Sequence, residues 1–479
     1  MPSWRWWRML DDLIRTKGRE GRRGYALPKL DVEKTELEDA LPKKALRDEK
    51  PNLPEVDEPT VIRHYTNLSR QNWGIDTNFY PLGSCTMKHN PRANEAAAAA
   101  PGFAGLHPLQ SESQAQGALQ VMYELQGFLS EISGFPAVSL QPMAGAQGEL
   151  TSILMVKKFF ENAGDEGRTT VIVPETAHGT NPATATMAGF KAVEVGLDEH
   201  GCVAVEELRE MVDETTAALM ITNPNTCGVY ERNIAEIAEV LHEAGAFLYM
   251  DGANMNANLG RMRPADAGVD IMHYNLHKTF STPHGGGGPG SGAIACSDTL
   301  APFRPDPVVE KQEETYTLIR PEKSIGRVST FHGNFGVLLK AWNYIRMHGP
   351  ELRDVTDLAV LNANYVRARL WGTYRIPYDE LCKHEVVVQP PEGKKALDTA
   401  KGLIDHGYHP PTIYFPLVVK ESMLIEPTET ESKETLDDFI GAMLELAETT
   451  PEALQEAPTH APTKRLDEAR AARQLKARW

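Results

Sequence analysis

HYNLHKTFSTPHGGGGPGSG, residues 273–292, sets Lys278 just past a predicted strand end, flanks it with His277 and Thr279, and runs into the four glycines 285–288. A lysine after an apolar run is ordinarily a solvated surface residue. Here the glycines let backbone approach a ligand closely, and a lysine buried in such a place gives up its charge readily, as an amine nucleophile must. The glycine run is not a nucleotide-type phosphate loop, because no G-K-[ST] follows and it leads into a strand instead of opening a helix. A plain flexible loop is the remaining alternative.

Outward from this stretch, residues 141–296 alternate short β-branched runs with longer amphipathic segments. TVIV (170–173), KAVEV (191–195), AALMIT (217–222), AFLYMD (246–251) and GAIAC (292–296) read as strands, while 205–212 and 234–244 carry helical spacing. The pattern predicts an α/β fold: a mainly parallel sheet flanked by helices, with chemistry at the carboxyl ends of the strands. Beyond it, helical patterns at 337–347, 352–370, 396–404 and 436–446 and strand-like pieces at 386–388 and 413–419 predict a smaller C-terminal α/β domain. The expected division is an extended N-terminal arm over 1–60, a large domain over 61–335, and a small domain over 336–479 with a mobile tail. The arm is rich in charge and proline, with too little apolar content to fold alone; simple disorder is the alternative.

Several strand ends carry polar residues of chemical interest. Asp251 closes AFLYMD; such an aspartate is often only a helix cap, but it also suits a carboxylate that keeps a pyridine nitrogen protonated beside Lys278. PMAGAQGE (142–149) places small residues where a long helical pattern begins, so its backbone N–H groups can grip a phosphate. His178 follows TVIV; it reads as a hydrogen-bonded structural residue or as a ring stacked on a cofactor. Asn223 opens NPN after AALMIT, either a plain turn or a donor to a phenolic oxygen.

Composition bounds the rest. With 479 residues, 41% hydrophobic, the chain can bury a large core. A net charge of −17 argues against nucleic acid or an anionic membrane as partner. Cys85, Cys202, Cys227, Cys296 and Cys382 form no C-x-x-C pair, so neither a metal site nor a disulfide framework is expected. A reducing cytoplasm fits, and no stretch reaches the roughly 18 apolar residues that a spanning helix needs.

Taken together and in order, YPLGSCTMKHNP (80–91), AGAQGE (144–149), HGTNPATA (178–185), NPNTCGVYE (223–231), DGANMNA (251–257) and NLHKTF (275–280) with PHGGGGPG (283–290) resemble the C-terminal half of the glycine cleavage system P-protein family. The likeness is to the split form, in which that half is a separate subunit 2, and it covers about residue 21 to the end of the small domain. It departs from the family pattern over residues 1–20 and at His89, where tyrosine is expected.

The resemblance implies the aspartate-aminotransferase-like, type I pyridoxal phosphate fold. It implies pyridoxal 5′-phosphate held as a Schiff base on Lys278, with Asp251 at the ring nitrogen, His178 stacked on the ring, and the phosphate on Gly145, Ala146 and Gln147. Asn223 and Thr279 are further cofactor contacts by the same likeness, and Lys278, His178 and Asp251 are the catalytic group. The implied reaction is decarboxylation of glycine with transfer of the aminomethyl group to the lipoyl arm of the H-protein. The implied partner is a homologous subunit 1 in a heterotetramer. Another type I enzyme, an aminotransferase using Arg367, Arg369 or Arg375 or a desulfurase using a cysteine, stays open from the residues, as does a non-catalytic scaffold.

Overall fold

A computed structural model describes residues 13–49, 51–283, 290–461 and 463–475. The glycine run 285–288 and residues 1–12 lie outside the described residues. The described residues divide into two compact units, one drawn from those up to Thr77 with those from Pro458 onward, the other spanning Asn78–Ala457.

The first unit has little regular structure. Its longest helix, Glu58–Ser69, starts where Asp57 accepts the Thr60 N–H at 2.8 Å and Pro59 occupies the first turn. Before it lie single turns such as Leu37–Ala40 and Lys43–Ala45. Tyr25, Leu27, Leu30 and Val32 are 79, 78, 69 and 69% exposed, so this segment buries almost none of its own apolar surface.

In the second unit, β1 (Ala137–Ser139), β2 (Thr170–Pro174), β3 (Lys191–Val195), β4 (Thr216–Thr222), β5 (Phe247–Gly252), β6 (Ile271–Tyr274) and β7 (Ile294–Cys296) form one sheet. Its order is β1-β7-β6-β5-β4-β2-β3, parallel from β6 to β3, with β7 antiparallel to both neighbours. Residues alternate between two cores: Val171, Val173, Met220 and Tyr249 face one, Ile172, Leu219, Leu248 and Met250 the other. Burial on both faces is why these strands read as continuous apolar runs.

A hairpin, β8 (Val308–Gln312) and β9 (Thr315–Ile319), follows the large sheet. The small sheet contains β10 (Val386–Val388), β11 (Thr412–Ile413) and β12 (Met423–Ile425) in the order β10-β12-β11, packed on the helices Leu352–Leu370 and Lys433–Glu448. The strand expected over 413–419 is only its first residue here. Tyr414 has φ 59°, Phe415 precedes Pro416, and Leu417 is 84% exposed, so the ladder stops and the chain turns.

Candidate active site

Parallel strands deliver their carboxyl ends to one edge of the sheet. To that edge β5 brings Asp251 and β6 brings the one-turn helix Leu276–Thr279 that carries Lys278. In register, Asp251 lies opposite Thr222 of β4 and His273 of β6. Asp251 is buried; its Oδ1 accepts the Ala253 N–H at 2.9 Å and lies 3.6 Å from His273 Nε2. Lys278 is half-buried, and among the described residues no side chain hydrogen-bonds its amine. Thr279 beside it is engaged: Oγ1 accepts the Asn256 N–H at 3.0 Å, and its carbonyl accepts Lys88 Nζ at 2.8 Å. Lys88 is itself buried and paired with Glu429 at 2.6 Å.

The helix Gly145–Ala163 begins at the same edge, after β1, without a side-chain cap. Its first intrahelical bond is Gly148 N–H to Ala144 O at 2.9 Å, which leaves the N–H groups of Gly145, Ala146 and Gln147 ahead of it. The helix start lies hard against the strand ends. A Cβ on Gly292 would stand 1.9 Å from Ala144 O, and one on Gly145 2.2 Å from Asn275 Oδ1. Glycine at these positions is a requirement of close approach. The Gln147 side chain is tied to Met143 N and Val328 O, so among its atoms only the backbone N–H is offered to a ligand.

His178 stands exposed at the rim after β2, its ring edge-on to Phe415 at 5.6 Å. Partial burial is the main cause that lowers its pKa; Asp251 opposes this and Lys278 adds to it. Asn223 follows β4, where the sequence left open a plain turn or a donor to a phenolic oxygen. It is fully buried, its Oδ1 accepts the Glu231 N–H at 3.0 Å and its Nδ2 donates to Glu231 O at 3.3 Å, so its amide serves the loop after β4.

Five further residues that the sequence did not single out form two buried groups, one at this edge and one beside the small sheet. Glu149, two residues past Gln147 on that helix, is buried with Asp251 and His273; one oxygen or nitrogen of each lies within 4.8 Å of the others. Burial first, then Asp251, raises the Glu149 pKa to about 8. His273 Nδ1 is 2.6 Å from Tyr249 Oη, and burial lowers the pKa of this imidazole.

On the small sheet, His384, Glu385 and Glu426 are all fully buried. His384 Nε2 is 3.7 Å from Glu385 and 3.9 Å from Glu426, without a hydrogen bond at either ring nitrogen among the described residues. Burial drives the His384 pKa down to about 3 and, with Glu426, lifts Glu385 well above the carboxylate range. The two carboxylates hold the loop after Leu82: Glu385 accepts the Ser84 N–H at 2.8 Å, and Glu426 accepts the Thr86 N–H at 2.8 Å and hydroxyl at 2.5 Å. Ser84 and Thr86 have φ of 63° and 49°, a left-handed backbone that these bonds sustain.

The Lys278 charge bears on both groups, on Glu149, His178 and His273 and on His384, Glu385 and Glu426. Imidazole with carboxylates is a donor set that a divalent cation accepts. A neighbouring ammonium and the bonds already made to the carboxylates favour proton sharing instead.

Burial disfavours thiolate chemistry at the cysteines. Burial pushes Cys85 up to about 11 and Cys227, Cys296 and Cys382 up to about 12. Arg367 and Arg369, the candidate carboxylate clamps, are engaged by Asp379 and Asp437 within 3.2 Å.

Two family models match the chain: "Glycine dehydrogenase, C-terminal domain" over 355–469 and "Aminotransferase class-V" over 147–301. A probable glycine dehydrogenase (decarboxylating) subunit 2 from Bacillus velezensis is 55% identical over 471 residues, 96% of each chain. One from Alkaliphilus oremlandii is 52% identical over 476 residues, 98% of each. Among solved structures, the glycine decarboxylase (P-protein) of a glycine cleavage system, in inhibitor-bound form, superposes with a TM-score of 0.74 at 23% identity, covering 86% of this chain and 95% of that one. A cysteine desulfurase from Escherichia coli gives 0.60 at 16% identity, covering 78% and 95%. These two likenesses establish a fold shared with type I pyridoxal phosphate enzymes.

Proposed function

Because the chain belongs to the glycine dehydrogenase (decarboxylating) subunit 2 family, we propose that it decarboxylates glycine within a glycine cleavage system, using pyridoxal 5′-phosphate. The observation that carries this reading is the delivery of Asp251 and Lys278 to one sheet edge from the adjacent strands β5 and β6. The residues fit the cofactor. Thr222 Oγ1, Asn254 Oδ1, His273 Nε2 and Glu149 Oε2 are buried there without partners among the described residues, which is the kind of deficit a polar ligand relieves.

In this reading the Lys278 amine holds the cofactor, Asp251 keeps a proton on its ring nitrogen, and His178 lies against the ring. The N–H groups of Gly145, Ala146 and Gln147 take the phosphate. Thr279 acts through its bonds to Asn256 and Lys88, which fix the turn that presents Lys278. Asn223 supports the reading less, its amide being committed to Glu231. When bound, pyridoxal phosphate supplies an electron sink for the pair left on the glycine carbon as carbon dioxide departs. The loop held by Glu385 and Glu426 walls the site and limits water.

The remaining aminomethyl group is passed to the lipoyl arm of the H-protein. A homologous subunit 1 completes a heterotetramer, and the exposed apolar residues of the N-terminal segment suit such a partner. No helix among the described residues is long and apolar enough to cross a membrane. The five unpaired cysteines suit a reducing cytoplasm, where we place the protein.

An absorption spectrum of the purified chain tests this reading. A visible band that shifts on adding glycine is expected, and borohydride reduction with peptide mapping should label Lys278. Lys278→Ala should abolish the label and leave thermal unfolding near that of wild type. A label on another lysine, or no response to glycine, rejects the assignment.

A further inference from the structure

Glu149, Thr180 and His178 form a continuous polar line from the floor of the site to its rim. Glu149 Oε1 lies 2.9 Å from Thr180 Oγ1, and Thr180 Oγ1 lies 2.9 Å from His178 Nδ1. His178 Nδ1 also accepts the Thr180 backbone N–H at 3.2 Å. A ring nitrogen that accepts an N–H carries a lone pair and no hydrogen. The Thr180 hydroxyl beside it is then placed to donate to Nδ1 as well, and its oxygen needs a donor of its own. Glu149 Oε1 occupies that position. The reverse arrangement, with Thr180 donating to an ionised Glu149, would set the lone pairs of Oγ1 and Nδ1 against each other at 2.9 Å.

We propose that Glu149 is a positioning residue that works in its acid form: its proton, relayed through the Thr180 hydroxyl, fixes His178 as the neutral tautomer with hydrogen on Nε2. The proposal rests on the reading of His178 as the ring that lies against the cofactor. An imidazolium placed over a protonated pyridine would repel it, whereas the neutral ring stacks without that cost.

The surroundings of Glu149 favour the acid. It is buried, with Asp251 from β5 and His273 from β6 close by, Tyr249 also on β5, and Lys278 on the turn after β6. Burial and Asp251 raise its pKa to about 8, against the opposing effects of Thr180, Lys278 and Thr184. Below that pH the relay is intact. Above it the acid ionises, the Thr180 hydroxyl turns toward the carboxylate, and Nδ1 loses its second donor.

The full chain, ¹⁵N-labelled at histidine and free of cofactor, provides the test by NMR from about pH 6 to about pH 9.5. His178 signals are assigned by their loss in His178→Gln. The expected result is the Nε2–H tautomer at neutral pH, its preference weakening with a midpoint near pH 8. Glu149→Gln, whose amide still donates to Thr180, should hold that tautomer across the range. Thr180→Val, which keeps the backbone N–H to Nδ1 but loses the hydroxyl, should weaken the preference at every pH, and Thr180→Ser should restore it. In pyridoxal phosphate titrations Thr180→Val should bind about tenfold more weakly than Thr180→Ser. An Nδ1–H tautomer in the wild type at neutral pH, or a Thr180→Val spectrum matching wild type, overturns the proposal. A wild-type chain with the expected tautomer but no affinity for pyridoxal phosphate supports the relay and defeats the functional reading instead.

Discussion

Asp251→Asn should separate binding from chemistry. The amide can still accept the Ala253 N–H, so cofactor affinity should hold within a few-fold, while glycine–bicarbonate exchange falls by several orders of magnitude because the ring proton is no longer held. Exchange near the wild-type rate would exclude the role. The same substitution removes a carboxylate that raises Glu149, so the His178 tautomer midpoint should move below about 8. His384 gives a second pH effect with a definite sign. Folded, its pKa is about 3; unfolded, it takes up a proton near its ordinary value, so it costs stability as pH falls from about 6.5 toward about 3. Glu385 and Glu426, raised by burial, tilt stability the other way, which makes the difference between variant and wild type the informative quantity. His384→Leu should gain about 2 kcal/mol relative to wild type on going from pH 7 to pH 5 in urea denaturation. No change in that difference would mean the ring is protonated in the folded state. Asp251 and Lys278 were singled out because each sits in a local pattern, Asp251 ending an apolar strand and Lys278 lying just past one and ahead of a glycine run. Glu149 and His273 have their partners on other strands. The one available signal was a histidine inside IMHY, a stretch otherwise wholly buried and apolar apart from the tyrosine hydroxyl.

At the scale of elements, the approach of the helix Gly145–Ala163 to β7 is the most exacting contact. Gly292→Ala must move the helix start, since the added carbon meets Ala144 O at 1.9 Å. Pyridoxal phosphate affinity should fall at least tenfold and stability by about 1–3 kcal/mol. Gly127→Ala, on the exposed face of the helix Gln116–Ser133 with nothing within 4 Å, should instead stabilise by up to about 1 kcal/mol. Equal behaviour of the two variants in both measurements would remove the steric argument. The elements themselves were unevenly legible. β3 and the helix Leu352–Leu370 have the bounds expected from periodicity. The β8–β9 hairpin escaped because its turn is Glu313–Glu314, with φ 53° at Glu313, and lacks the Asn-Gly signature. β1, with three residues, is too short for alternation to register.

For the whole molecule, the N-terminal segment separates folding from assembly. Its exposed tyrosine and aliphatic side chains bury little at home, so replacing Tyr25, Leu27 and Leu30 together by serine should leave thermal unfolding of the isolated chain nearly unchanged. With a subunit 1 co-expressed, sedimentation should show a weakened heterotetramer, and the wild-type pair should exchange carbon dioxide into glycine when lipoylated H-protein is present. Full exchange by the isolated wild-type chain would refute the need for a partner. The loop held by Glu426 has a different consequence, one of timing. Thr86 and its carboxylate are 340 residues apart. A ribosome adding roughly 5–20 residues per second separates their emergence by roughly 20–70 s. The strands of the large sheet are all synthesised within that interval, while the wall of the site waits for its acids. A message cut short between Cys296 and Glu426 would therefore encode every strand of the large sheet and still yield a protein whose site had never closed.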